Sequence, residues 1–199
     1  MDFLETTLNM RKIALLTVSL LMAIALQAQD THLKFKGIPI DGEYKAFSQK
    51  LVQKGFKQVK VSTDGIVLVG NFMATPGVMV VVYPDPKSRV VSMVSAMIET
   101  GDSWAQIESK YYDVIDTYKE KYGEPTEHVE EFTTEVYNSD SWRKNALHDG
   151  QCNYKTLWET DGGRIVISPT YFNFNYYIVC AYVDEQNVKA LRQTIIDDI

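Results

Sequence analysis

Turns, more than any other feature, limit what this chain can become. After residue 58, short apolar runs alternate with compact turn-forming clusters. Val59 to Ser62 leads to Thr63-Asp64-Gly65, and Ile66 to Met73 leads to Thr75-Pro76-Gly77. Val78 to Tyr83 leads to Asp85-Pro86-Lys87-Ser88, and the run Val90 to Ile98 follows. Asp-Gly and Pro-Gly between apolar runs are hairpin punctuation. A chain that reverses so often leaves no room for the long crossovers that parallel strands need. The pattern returns near the C-terminus, where Tyr154 to Thr160, Arg164 to Ser168 and Tyr176 to Val183 read as strands and Asp161-Gly162-Gly163 turns the first two. His32 to Gly37 alternates as a half-buried strand, and a further strand is expected over His128 to Thr134.

Helical spacing interrupts this pattern at defined places. Asp41 is positioned to cap a helix carrying Tyr44, Phe47 and Leu51, with Gly55 at its end. The longest stripe is Trp104, Ile107, Tyr111, Val114, Ile115, Tyr118 and Tyr122, opened by a Ser103–Gln106 capping box and stopped by Gly123 and Pro125. A short helix is expected from about Ser139 to His148, with Trp142 and Leu147. A last one, capped by Asp184, carries Val188, Leu191 and Ile195. The two halves look alike, each with a strand, a helix and a meander. The predicted class is α+β: a mainly antiparallel sheet with helices packed on one face, built as two degenerate strand-helix-meander repeats.

The N-terminus carries an address. From Met10 the chain reads Met-Arg-Lys, then the apolar run Ile13 to Leu26. Two cations before such a run, too short for a membrane span, match a signal peptide. Residues 1–28 are expected to be that peptide, with the true start at Met10 and cleavage after Ala28. Residues 29–199 then form a single α+β domain, periplasmic or secreted, with no membrane span. The net charge of −6 and the lack of a Lys/Arg cluster exclude a nucleic-acid or anionic-lipid footprint. Cys152 and Cys180 allow one pairing. Export permits that bridge, while the apolar surroundings of each cysteine suit a free, buried thiol equally.

Four segments carry a resemblance: Lys121-Tyr122-Gly123-Glu124-Pro125 closing a helix, Tyr154 with Leu157-Trp158, Ile165-Val166-Ile167, and Tyr182-Val183-Asp184 with Asn187. Together they resemble small exported proteins of unassigned function from Gram-negative bacteria. In outline they are similar to the β-lactamase-inhibitor-like repeat, over residues 88 to 199. The resemblance implies a fold of this class and a binding or assembly role.

Candidate chemistry is sparse. Gly101-Asp102-Ser103 resembles the nucleophile block of the SGNH esterases, which would make Ser103 a nucleophile. That chemistry needs a histidine base and a carboxylate to orient it. His32, His128 and His148 do not stand in the family's Asp-x-x-His arrangement, and Ser103 and Asp102 suit a helix N-terminus on their own. His128 with Glu130 would share a strand face, and His148 adjoins Asp149, but neither has metal-ligand spacing. The pairs Glu130-Glu131, Asp197-Asp198 and Glu124/Glu127 read as exposed acids. The unusual segment is Tyr171-Phe172-Asn173-Phe174-Asn175-Tyr176-Tyr177, whose alternate rings cannot all be buried at a hairpin tip. The expected function is therefore a non-catalytic binding module for a protein, a glycan or a second copy. Trp142, Phe172 and Phe174 are its candidate contact residues, and a serine esterase using Ser103 is the alternative. No cofactor and no metal site are expected.

Overall fold

The computed structural model of the chain describes residues 32–133 and 139–197. The expected signal peptide, its cleavage point and Thr134 lie outside the described residues, as do the side chains of Leu191 and Ile195 and residue Asp198.

The fold is α+β, with a mainly antiparallel arrangement. A small hairpin, β1 (Lys34–Phe35) and β2 (Ile38–Pro39), precedes helix α1 (Tyr44–Gln53). Four strands follow: β3 (Lys57–Ser62), β4 (Gly65–Phe72), β5 (Thr75–Pro84) and β6 (Val91–Glu99). Helix α2 (Trp104–Tyr122), strand β7 (Glu127–Phe132) and helix α3 (Asp140–His148) come next. The chain then runs through β8 (Cys152–Thr160), β9 (Gly163–Phe172) and β10 (Asn175–Asp184) into helix α4 (Glu185–Asp197).

Strands β3 to β10 form one eight-stranded sheet in the order β3-β4-β5-β6-β10-β9-β8-β7, each pair antiparallel. That order is symmetric about the β6–β10 pair. Each half is a helix followed by four strands, with α3 inserted between β7 and β8 in the second. The repeat therefore begins at the helix. The strand expected over His32 to Gly37 is not part of the sheet. Lys36 and Gly37 take φ of 54° and 79°, and the chain turns back after two residues of strand.

Two other local expectations shift. Glu43, not Asp41, caps α1: its carboxylate accepts from the amides of Lys45 (2.9 Å) and Ala46 (3.0 Å). Asp41 faces His32 instead, 3.6 Å from Nε2. The β4–β5 turn is Met73-Ala74, with φ of 49° and 56°, and Pro76 and Gly77 already lie in β5. Two residues with positive φ make the hairpin turn whose twist matches that of its strands.

One face of the sheet carries the core. Across it runs the row Leu68–Val80–Ala96–Cys180–Ile167–Thr156, each residue fully buried. Phe47 and Leu51 of α1 join the same buried cluster. Helix α2 buries Trp104, Ile107, Tyr111, Val114, Ile115 and Tyr118, and its hydroxyls from Tyr111 and Tyr118 reach Thr156 and Tyr182. Helix α3 meets this face through Lys144 over the Tyr176 ring and His148 against Tyr171. Asp184 closes the ends together. Its buried carboxylate accepts from the amides of Leu33 and Asn187 and lies 3.1 Å from His32 Nδ1, while Asn187 donates to the carbonyls of Ile40 and Val91.

The cysteines are free. Cys180 sits opposite Ile167, and Ile167 opposite Thr156, so β9 separates β10 from β8; Cys152 lies four residues further along β8. Two strand spacings of about 4.8 Å plus that offset exceed the roughly 7 Å limit for a bridge.

Candidate interaction surface

Helices α1, α2 and α3 all pack on the core face of the sheet and leave the second face bare among the described residues; α4 meets β6, β9 and β10, and its Glu185 lies 3.7 Å from Arg164 of the second face. Its central row is Val67–Val81–Ser95–Ala181–Val166–Leu157. All but Ser95 are only half-buried. A sheet with one solvated face is expected to alternate apolar and polar residues. Here Met79, Val81 and Tyr83 on the bare face interleave with Val78, Val80 and Val82 on the covered one. The result is a shallow groove of about 550 Å³ running from Lys60 on β3 across Val67, Met79 and Val81 to Met97 and Phe172. The sequence held a signal for this surface: the unbroken apolar run Val78 to Tyr83, which leaves no polar side for water.

The three proposed contact rings are exposed: Trp142 by 53%, Phe172 by 55% and Phe174 by 86%. They do not form one patch by position. Phe172 is at the end of the bare-face groove, and Phe174 is two residues away at the β9–β10 tip. Trp142 is on α3, on the helical side, where Leu147 and Ala146 are the residues the helix buries. Of the remaining rings of the aromatic segment, Tyr176 is buried and meets the half-buried Tyr171 in a tilted contact, Tyr171 in turn meets His148 at 4.3 Å, and Tyr177 is half-buried on the other face of β10.

Ser103 is a helix cap. Its hydroxyl takes up the Gln106 amide, and the Gln106 side chain returns to the Ser103 backbone. Gly101 leaves the space that the Gln106 side chain occupies, since a Cβ there would collide with it. Asp102 pairs with Lys144 at 3.2 Å. Each residue of the Gly-Asp-Ser block thus has a structural partner. The three histidines bond elsewhere: His32 to Asp184, His128 to Thr156 and Glu130, and His148 to Asp149.

His128 and Glu130 do share a face, with Nε2 to Oε1 at 3.0 Å. His128 Nδ1 reaches Thr156 Oγ1 at 2.8 Å, Thr156 reaches the Tyr111 hydroxyl at 2.7 Å, and Tyr112 donates to Glu130. A hydroxyl, a histidine and a carboxylate in series have the connectivity of a nucleophilic triad. Thr156 is fully buried beneath α2, however, so no substrate carbonyl can approach it. Burial raises the Tyr111 phenol to about 12, which keeps it a neutral hydrogen-bonding partner. The network fastens edge strand β7 to α2 and β8.

The other acids have partners of the same kind: Glu124 with Lys119, Glu127 with Lys155, and Glu131 with Asn153. Among the described residues, no group of three or more His, Cys, Asp or Glu gathers to hold a metal, and no helix is long and apolar enough to cross a membrane. Compared with protein-family models, curated proteins and solved structures, the chain matches none.

Proposed function

We propose that this chain is an exported, non-catalytic binding module that recognises its partner with the bare face of the sheet and the Phe172–Phe174 tip. The observation that carries this reading is the apolar bare face itself. Isolated exposed apolar side chains are ordinary, but a continuous apolar surface marks a contact site. The groove is backed by the hydrogen-bonded sheet, so a partner meets a surface that loses little freedom on binding. Phe172 and Phe174 extend it with rings that bring area at small entropic cost. Export rests on the Arg11-Lys12 pair and the Ile13 to Leu26 run, and an extracytoplasmic protein or glycan is the partner class.

Site-specific photo-crosslinking in the native host tests this. A crosslinker at Val81 should capture a defined species that one at Lys119, on the helical side, does not. Phe172→Ser should abolish that capture. Equal capture from both faces, or none from Val81, would overturn the reading. Intact-mass analysis of the same material should give a chain beginning near Gln29, and a full-length main product would remove export from it.

A further inference from the structure

We infer that a cleft on the helical side, between α2, the β1–β2 hairpin and the β4–β5 turn, binds a small organic anion: a carboxylate or phosphate carried on an apolar body. This site lies away from the bare face and does not depend on it.

The cleft is about 410 Å³, the size of small-molecule pockets. Phe72, Tyr118 and Tyr182 line it, and all three belong to the buried core. Tyr122 stacks on Tyr118 at 5.8 Å and 27° and also lines the cleft. A ligand body entering here meets rings held by the fold rather than mobile side chains.

Charge selects the other end of the ligand. Lys34, Lys36 and Lys121 all line the cleft, and no acidic residue does. This happens in a chain of net charge −6. None of the three lysines has an ion-pair partner among the described residues. Lys36 donates only to the Asn71 carbonyl at 3.5 Å, and Lys121 stands 4.8 Å over the Tyr122 ring. By contrast, neighbouring Lys119 is paired with Glu124. Like charges around one opening repel, and a bound anion removes that repulsion.

Helix geometry explains Lys121, since a cation at a helix C-terminus is favourable. It does not explain the other two. Lys36 holds φ of 54°, a conformation that Gly or Asn takes more easily than a long side chain. A charge is therefore present at a turn position where conformation alone would select against lysine.

The test is a titration of the full chain with 2-naphthoate, dodecanoate and the neutral 2-naphthylmethanol, followed by protein NMR. Both anions should bind, and the neutral alcohol should bind at least about tenfold more weakly, a difference of 1.4 kcal/mol. The preferred anion tells whether the body is a ring or an acyl chain. The triple variant Lys34→Gln/Lys36→Gln/Lys121→Gln should lose about tenfold or more, as should added salt. The single variant Lys121→Glu gives the same reading should the triple fail to fold. Lys57→Gln/Lys60→Gln, at the rim of the bare face, should leave binding unchanged. The proposal is overturned if neither anion binds, if the alcohol binds as well as the acid, or if affinity follows Lys57/Lys60 rather than the cleft lysines.

Discussion

The hydroxyls of Tyr118 on α2 and Tyr182 on β10 lie 2.6 Å apart in the core, and each is the other's partner. Burial drives both phenols well above their ordinary pKa, so the pair stays neutral at any physiological pH. A buried hydroxyl without a partner costs about 1–3 kcal/mol. Tyr118→Phe leaves the Tyr182 hydroxyl unpartnered and should destabilise the domain by that amount; Tyr182→Phe should cost less, because the Tyr118 hydroxyl still meets the Cys180 thiol. The double variant should cost clearly less than the sum, because it leaves no orphan hydroxyl. A double-mutant cycle by urea unfolding measures this, and simple additivity would show that the bond does not couple α2 to the sheet.

This pair also marks what the sequence could and could not disclose. The stripe from Trp104 to Tyr122 and the runs of β8 to β10 are local patterns, and they place Tyr118 and Tyr182 on the faces where they are found. That β6 and β10 lie side by side is a long-range pairing no local pattern encodes. Local pattern and structure differ at turns. Pro76-Gly77 has the chemistry of a turn, yet the β4–β5 register places the reversal at Met73-Ala74. Asp41 has the side chain of a cap, but it faces His32 and the Gly42 bend separates it from the helix, which Glu43 caps. The exposed rings were readable from their crowding. The lysine cleft was not, because its parts come from Lys34, Phe72 and Lys121, far apart along the chain.

The buried thiols and phenols should set the alkaline limit of stability. Burial raises Cys152 to about 11, Cys180 to about 12 and Tyr111 to about 12. In the unfolded chain these groups ionise near 8.5 for cysteine and 10 for tyrosine. Their folded pKa values are raised, so the stabilisation is fully present below the unfolded values and is lost as pH rises through the folded ones. Urea unfolding should therefore show stability constant to about pH 8.5 and falling towards pH 12, by up to about 1.4 kcal/mol per pH unit for each group involved. Cys180→Ala should make the early part of that decline shallower. Reductant should leave the melting temperature unchanged, as no bridge exists to break.

Ser103 offers a sharp separation of cap from nucleophile. Ser103→Ala removes the acceptor for the Gln106 amide and should cost about 1 kcal/mol. Ser103→Asp keeps an acceptor at the cap and should recover most of that loss. Thermal unfolding followed by circular dichroism gives both numbers. An ester panel should show no turnover that depends on this hydroxyl. Turnover lost in both variants, with stability retained in the aspartate one, would assign it catalysis.

Phe174 is where stability and recognition should part. It sits at the second position of the Asn173-Phe174 turn with φ of 67°, and its ring is 86% exposed. Glycine is the favoured residue at that position of such a turn, because the left-handed conformation costs a bulky side chain of order 1 kcal/mol. The ring returns little of this through burial. Phe174→Gly should therefore raise stability by about 0.5–1 kcal/mol, the reverse of what deleting a large apolar side chain does in a core. If the tip is part of the contact surface, the same variant should weaken crosslinking from Val81. Phe172→Ser, which relieves no backbone strain, should weaken it with a stability change within about 0.5 kcal/mol. A loss of stability on Phe174→Gly would mean that the ring packs against the fold, and the tip would then have no claim as a contact site.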